Sequence, residues 1–231
     1  MTGQSQLDVP QSAVDIGSDS GAFRILCIGD SITCHGFNDD TVRRLGWGHV
    51  AGMAASDASL DYAHRLQRRI GTMLAPRTVG LHFHTGGGSG SIRHRLSALA
   101  EVAPVAPHLV VIQLGEHEKE SDGEQSLDAS YALLLDQVRS FACRPLVIAT
   151  GVWQPGEACT GWAATIDRVF AQACQIRGIP FVSVADLASD PACHGAGTTP
   201  GVQWHPNDQG HAGYAEKLFA AFKVARTDHL S

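Results

Sequence analysis

The chain has 231 residues, 44% hydrophobic and 17% charged, which is enough to bury one full core without a second domain. With a net charge of −6 at pH 7 it has no surplus of Lys and Arg to neutralise phosphates, so nucleic acid is excluded as a partner. No run is apolar enough to span a bilayer. The polar opening MTGQSQLDVPQSAVDIGSDSG lacks the basic start and apolar stretch of a signal peptide, which points to a soluble cytoplasmic protein.

Residues 1–20 read as a tail, disordered or loosely docked, ahead of a single domain over 21–231. FRILCIG (23–29) is a strand-length run rich in Ile and Leu. LDYAHRLQRRIGTML (60–74) places apolar residues three and four apart, as one face of a helix requires. The same alternation continues through the chain. VGLHFH (79–84), HLVVIQLG (108–115), RPLVIATG (144–151) and PFVSVA (180–185) read as strands. SIRHRLSALAEVA (91–103), SLDASYALLLDQVRSFA (126–142) and AATIDRVFAQACQIRG (163–178) read as helices between them, and NDQGHAGYAEKLFAAFKVA (207–225) closes the chain as a fifth helix. Five β-α units imply right-handed crossovers and a parallel sheet covered on both faces. The expected fold is therefore a three-layer α/β/α sandwich with its site at the carboxyl ends of the strands.

The residues just past each strand carry the chemistry. The first strand delivers Gly29-Asp30-Ser31-Ile32-Thr33, the second Thr85-Gly86-Gly87-Gly88-Ser89-Gly90 and the third Gly115-Glu116-His117-Glu118. Trp204-His205-Pro206-Asn207 precedes the last helix. The glycine block has no Lys-Ser/Thr after it, and no G-x-G-x-x-G accompanies the first strand, so a nucleotide site is not expected. Cys27, Cys34, Cys143, Cys159, Cys174 and Cys193 form no C-x-x-C pair and read as reduced thiols; Cys193-His194 point apart and lack a second pair, so no metal is expected.

Four blocks in order, GDSIT, GGGSG, LGEHE and HPNDQGH, resemble the SGNH or GDSL hydrolases, and the likeness spans most of the chain. The stretch Gly46 to Tyr62 resembles an extended first loop found in some bacterial members. The resemblance implies a flavodoxin-like SGNH hydrolase fold with a five-stranded parallel sheet and esterase chemistry without metal or organic cofactor. It makes Ser31 the nucleophile and His205 the base, since a serine hydroxyl attacks at neutral pH only when an imidazole takes its proton. It assigns the oxyanion hole to the backbone N–H of Ser31, the backbone N–H of Gly87 and the side chain of the third block. That side chain is His117 here, where the family has Asn. Asp30, Trp153 and Trp204 are expected at the substrate, the two indoles as an aromatic wall.

A second departure is Val202, which stands where the family carries the Asp that orients the base. A Ser-His dyad is expected, oriented by a backbone carbonyl near Val202 or by a carboxylate elsewhere such as Asp186. Other readings stay open: Ser31 as a helix cap, His211 as the base, His117 as an ion-paired loop residue. Three functions are compatible with these residues. The first is an esterase removing a short acyl group, acetyl foremost, from a small molecule or carbohydrate; the others are a longer-chain lipase or thioesterase, and a catalytically impaired ligand-binding relative. Oligomeric state is not legible.

Overall fold

The computed structural model of the chain describes residues 13–16, 21–154 and 161–230. Its sheet holds β1 (Ala13–Ile16), β2 (Phe23–Ile28), β3 (Val79–His84), β4 (Leu109–Ile112), β5 (Leu146–Thr150) and β6 (Phe181–Val182), in the order β1-β3-β2-β4-β5-β6. Strands β2 to β6 pair in parallel, as the alternating pattern requires. The expected tail over residues 1–20 lies outside the described residues except for β1. That strand pairs antiparallel with β3, from Ala13 opposite His84 to Ile16 opposite Leu81, and covers an edge that β3 would otherwise leave open.

The crossovers are α1 (Tyr62–Leu74), α2 (Ile92–Ser97) with α3 (Leu99–Val102), α4 (Glu124–Arg139) and α5 (Gly161–Arg177). The single helix expected over 91–103 is broken at Ala98. Short helices α6 (Ala185–Ala188) and α7 (Pro200–Trp204) lead to the long α8 (Asp208–Leu230). Among the described residues no helix is long and apolar enough to cross a membrane.

Side chains alternate across each strand, so every buried strand feeds two cores. Ile25, Cys27, Leu81, Phe83, Leu109, Val111 and Ile148 pack with Tyr62, Leu66 and Ile70 of α1 and with Tyr214, Leu218 and Phe222 of α8. Leu26, Ile28, Val110, Ile112, Val147 and Ala149 pack on the other face with α2 to α5. Three layers result. Each fully buried aliphatic side chain contributes about 1.5–3 kcal/mol over exposure, so the strands are held from both sides. Because β3 and β4 flank β2 on opposite sides, the chain reverses its winding direction there, and the crevice at that switch point opens at the end of β2.

Candidate active site

Strand β2 ends at Ile28, and the chain turns sharply through Gly29-Asp30-Ser31. Asp30 is wholly buried, and its Oδ1 accepts from the Ile32 N–H at 3.1 Å, closing an Asx-type turn that turns Ser31 outward. No helix starts at Ser31, so it caps nothing. The loop after it doubles back: Met53 N donates to Ser31 O at 2.8 Å and His35 N to Ala51 O at 2.9 Å. The stretch 46–62 thus lies behind the nucleophile turn, and its Asp61 accepts from His64 N at the start of α1.

Ser31 Oγ lies 2.7 Å from His205 Nε2, across 174 positions of sequence. On the far side of the ring, His205 Nδ1 lies 2.5 Å from the Gly201 carbonyl oxygen. A carbonyl can only accept, so Nδ1 carries the hydrogen and Nε2 presents its lone pair to the serine. Burial pushes the His205 pKa down to about 4, against a smaller opposing pull from the Gly201 carbonyl and the charge of Asp30. At neutral pH the imidazole is uncharged, with the Nε2 lone pair free to take a proton.

The rival readings find other places in the structure. Asp186 is paired with Lys217 Nζ at 2.9 Å. His211 is wholly buried, with Nδ1 accepting from Tyr62 N at 3.3 Å and Nε2 facing Met53 O at 3.2 Å. Val202 is buried, and its carbonyl accepts from His205 N at 3.2 Å. The carbonyl that meets the His205 ring is that of Gly201, next to Val202.

After β3, Gly86, Gly87 and Gly88 adopt φ of 54°, 75° and 78°, a left-handed run that side chains resist. A Cβ on Gly36 would stand 2.4 Å from Gly87 O, so the glycine block lies backbone to backbone against the segment after Ser31. Gly88 N–H bonds back to Thr85 O at 3.1 Å, whereas among the described residues the N–H groups of Ser31 and Gly87 have no backbone acceptor. Two such donors beside a nucleophile suit a developing oxyanion. His117 is exposed just past the end of β4, near enough to His205 for its charge to act on it.

Two of the residues expected at the substrate are wholly buried, although Trp153 still lines the pocket beside Trp204. Asp30 has no exposed surface and spends its carboxylate on the turn. Trp153 also has none; its indole N–H donates to Trp204 O at 2.7 Å and so props the residue before the base. Trp204 remains half-buried, with its ring edge-on to His205 at 4.9 Å between centroids. Beside it lies a pocket of about 300 Å³ whose lining includes Glu118, Trp162, Gln154 and Ile166. No group of His, Cys, Asp and Glu among the described residues is arranged to hold a metal ion. Cys27, Cys34, Cys174 and Cys193 are buried free thiols and Cys143 an exposed one; Cys159 lies outside the described residues.

Three further side chains at the site are not singled out by the sequence. Arg95 is buried on α2, and its guanidinium donates to Gly29 O at 3.0 Å, to Thr85 O at 2.5 Å and to Ser89 O, riveting the first two blocks together. Its signal is a charge on the apolar face that Ile92 and Leu99 define. Gln113 Oε1 accepts from Thr33 Oγ1 at 2.8 Å and from Asp30 N at 3.4 Å, while its Nε2 donates to Glu116 Oε2 at 3.0 Å. Glu116 is visible in the sequence only as a neighbour of His117.

Residues 27–212 match the GDSL-like Lipase/Acylhydrolase family. No curated protein is significantly similar in sequence. Among solved structures, an acetylxylan esterase from Geobacillus stearothermophilus is similar with a TM-score of 0.63 at 16% identity, covering 87% of this chain and 94% of that one. TesA is similar with a TM-score of 0.59 at 20% identity, over 87% and 99% of the two chains. A two-domain esterase active on acetylated mannans is similar with a TM-score of 0.60 at 19% identity, over 89% of this chain and 50% of that one.

Proposed function

We propose, from the premise that this chain belongs to the GDSL-like lipase/acylhydrolase family and is an ester-bond hydrolase, that Ser31 and His205 form a catalytic dyad removing short acyl groups, acetyl foremost, from a carbohydrate. The observation that carries the reading is the 2.7 Å contact between Ser31 Oγ and His205 Nε2, with Nδ1 committed to Gly201 O. Ser31 Oγ attacks the ester carbonyl as Nε2 takes its proton. The tetrahedral oxyanion accepts from the N–H groups of Ser31 and Gly87 and from the His117 ring, each donor being worth about 10²–10³ in rate where such donors have been removed. His205 then returns the proton to the leaving alcohol. Water, activated by the same imidazole, releases the acid from the acyl-serine.

The pocket beside the dyad supports a sugar on the alcohol side. The indoles of Trp162 and Trp204 offer apolar faces, and Glu118 and Gln154 offer polar edges, which is the mixture a pyranose presents. An acyl chain of lipid length would need a broad apolar groove. The exposed large apolar side chains among the described residues, Met73, Leu133, Ile176 and Val224, lie instead on α1, α4, α5 and α8. Activity on acetylated xylan and mannan among proteins of similar fold accords with this choice. The test is a p-nitrophenyl ester series alongside acetylated xylo- and manno-oligosaccharides. Acetate is expected to be the best acyl group, with kcat/KM falling as the chain lengthens. A maximum at eight carbons or more would overturn the short-acyl reading, and absence of turnover by folded protein would overturn the dyad.

A further inference from the structure

Glu116 takes no part in the attack on the ester, yet its carboxyl sits in the polar floor of the site. Oε1 accepts from the Trp153 N–H at 2.8 Å and Oε2 from Gln113 Nε2 at 3.0 Å. Against it stands Asp30, whose Oδ1 accepts from the Ile32 N–H and whose buried Oδ2 meets no N–H or O–H donor. Gln113 bridges the two residues, accepting from Asp30 N–H and donating to Glu116 Oε2, and sets the half-buried Glu116 carboxyl beside the buried one of Asp30, close enough for each to act on the other. Two desolvated carboxylates this close cannot both stay ionised, so one of them keeps a proton.

The surroundings decide which. The Arg95 charge on α2 acts on Asp30, and the Ile32 N–H donates to it. Glu116 faces Asp30; the Tyr214 hydroxyl of α8, bonded to Thr150 Oγ1, lies near both carboxyls and favours neither, with Asp167 of α5 beyond it. Asp30 is therefore the better placed to hold the negative charge. We infer that Glu116 is a neutral carboxylic acid donating its proton to Asp30 Oδ2, and is the positioning residue that ties the nucleophile turn to the loop of the base. Burial, with the charge of Asp30 behind it, holds the Glu116 carboxyl well above the usual carboxylate range.

One side chain thus spans both ends of the dyad. Through Asp30 it reaches the Ile32 N–H and the turn of Ser31. Through the Trp153 N–H it reaches an indole whose own N–H holds Trp204 O, next to His205. A loss of this link lets the two halves drift, and misplacement of about 1 Å costs on the order of a hundredfold in rate.

The inference rests on the Ser31–His205 reading, and its test has an arm independent of activity. In full-length protein carrying ¹³C-carboxyl glutamate, difference infrared spectra at pH 7 should show the stretch of a protonated carboxyl that disappears in Glu116→Gln. Absence of that band, or its persistence in the variant, overturns the proposal whether or not the protein hydrolyses esters. In Asp30→Asn, should Glu116→Gln fail to fold, the band should shift or vanish, because the carboxylate that accepts the Glu116 proton has become an amide; a band unchanged in frequency and intensity there overturns the proposal. In the activity arm, Glu116→Ala should lower kcat about tenfold to a hundredfold, with KM changed less than about threefold. Glu116→Gln should recover part of that loss, since its amide still donates to Asp30 and accepts from Trp153. Equal losses in the two variants would overturn the hydrogen-bonding role.

Discussion

The turn that carries Ser31 is braced by side chains from three other elements, Gln113 past β4, Tyr62 on α1 and Arg95 on α2, whereas His205 hangs from the end of a five-residue helix by the Gly201 carbonyl. On the nucleophile side a chain runs from Tyr62 OH to Thr33 Oγ1, on to Gln113 and then to Glu116, with both ends of the Gln113 amide committed. On the His205 side the restraints are mostly backbone: the ring meets Gly201 O, His205 N–H donates to Val202 O, Gly195 N–H donates to His205 O, and the Trp153 indole props Trp204. On the proposed dyad, local backbone takes the place of a carboxylate in orienting the imidazole, while the serine is held by side chains from elsewhere in the fold.

The harshest test of this contrast removes the nucleophile. Ser31→Ala should abolish ester hydrolysis down to the residual of oxyanion and binding groups while leaving the melting temperature nearly unchanged, because the turn is held by Asp30 and Arg95 and not by the hydroxyl. An organophosphonate should label Ser31 in the parent protein; labelling of Ser89 would relocate the site.

Next comes the brace itself. Arg95→Met takes the guanidinium from three carbonyls, of which Thr85 O keeps the Gly88 N–H, Ser89 is exposed and Gly29 O is left buried. A buried unpaired carbonyl costs about 1–3 kcal/mol, so denaturant titration should show a loss of about that size, and hydrolysis should fall with it. A neutral outcome would mean that the nucleophile half is no better held than the other.

The base half is probed more gently by pH. Because burial lowers the His205 pKa to about 4, protonation is resisted in the fold, and kcat/KM should rise on a single acid limb through about pH 4 and be level by about pH 6. The sign extends to stability: a histidine held neutral in the fold is ionised more readily once unfolded, so its contribution is full above its ordinary pKa of about 6.5 and shrinks as pH falls towards 4. A limb centred near pH 6.5 would show an imidazole open to water.

The smallest effects are expected from carboxylates at or near the vacant acid position. Asp186→Asn should change kcat less than about threefold, because Asp186 is committed to Lys217, whereas loss of a true triad acid costs on the order of 10⁴. Val202→Asp should be tolerated, and a modest gain in rate would mean that the new carboxylate reaches the imidazolium formed during attack. A collapse in Asp186→Asn with circular dichroism intact would end the dyad.

Apolar period and strand-end chemistry, both local properties, were enough to read β2 to β6, the five main helices, the three-layer class and the four blocks that meet at one edge. Ser31 and His205 are singled out by their places in the GDSIT and HPNDQGH blocks, and the structure sets their side chains 2.7 Å apart. The partner of His205, by contrast, depended on how α7 ends, and a helix terminus is settled by capping and packing, so the carbonyl proved to be that of Gly201. The burial of Trp153 and Asp30, the inward turn of the Glu116 carboxyl and the grip of Arg95 on two blocks join groups far apart in sequence, as Gln113 and Asp30 are across 83 positions. Local periodicity says which face of an element is buried but not which polar group from another element will meet it there. That pairing exists only once the sheet has brought its strand ends together, because a buried polar group takes whatever partner the packed layers set within reach.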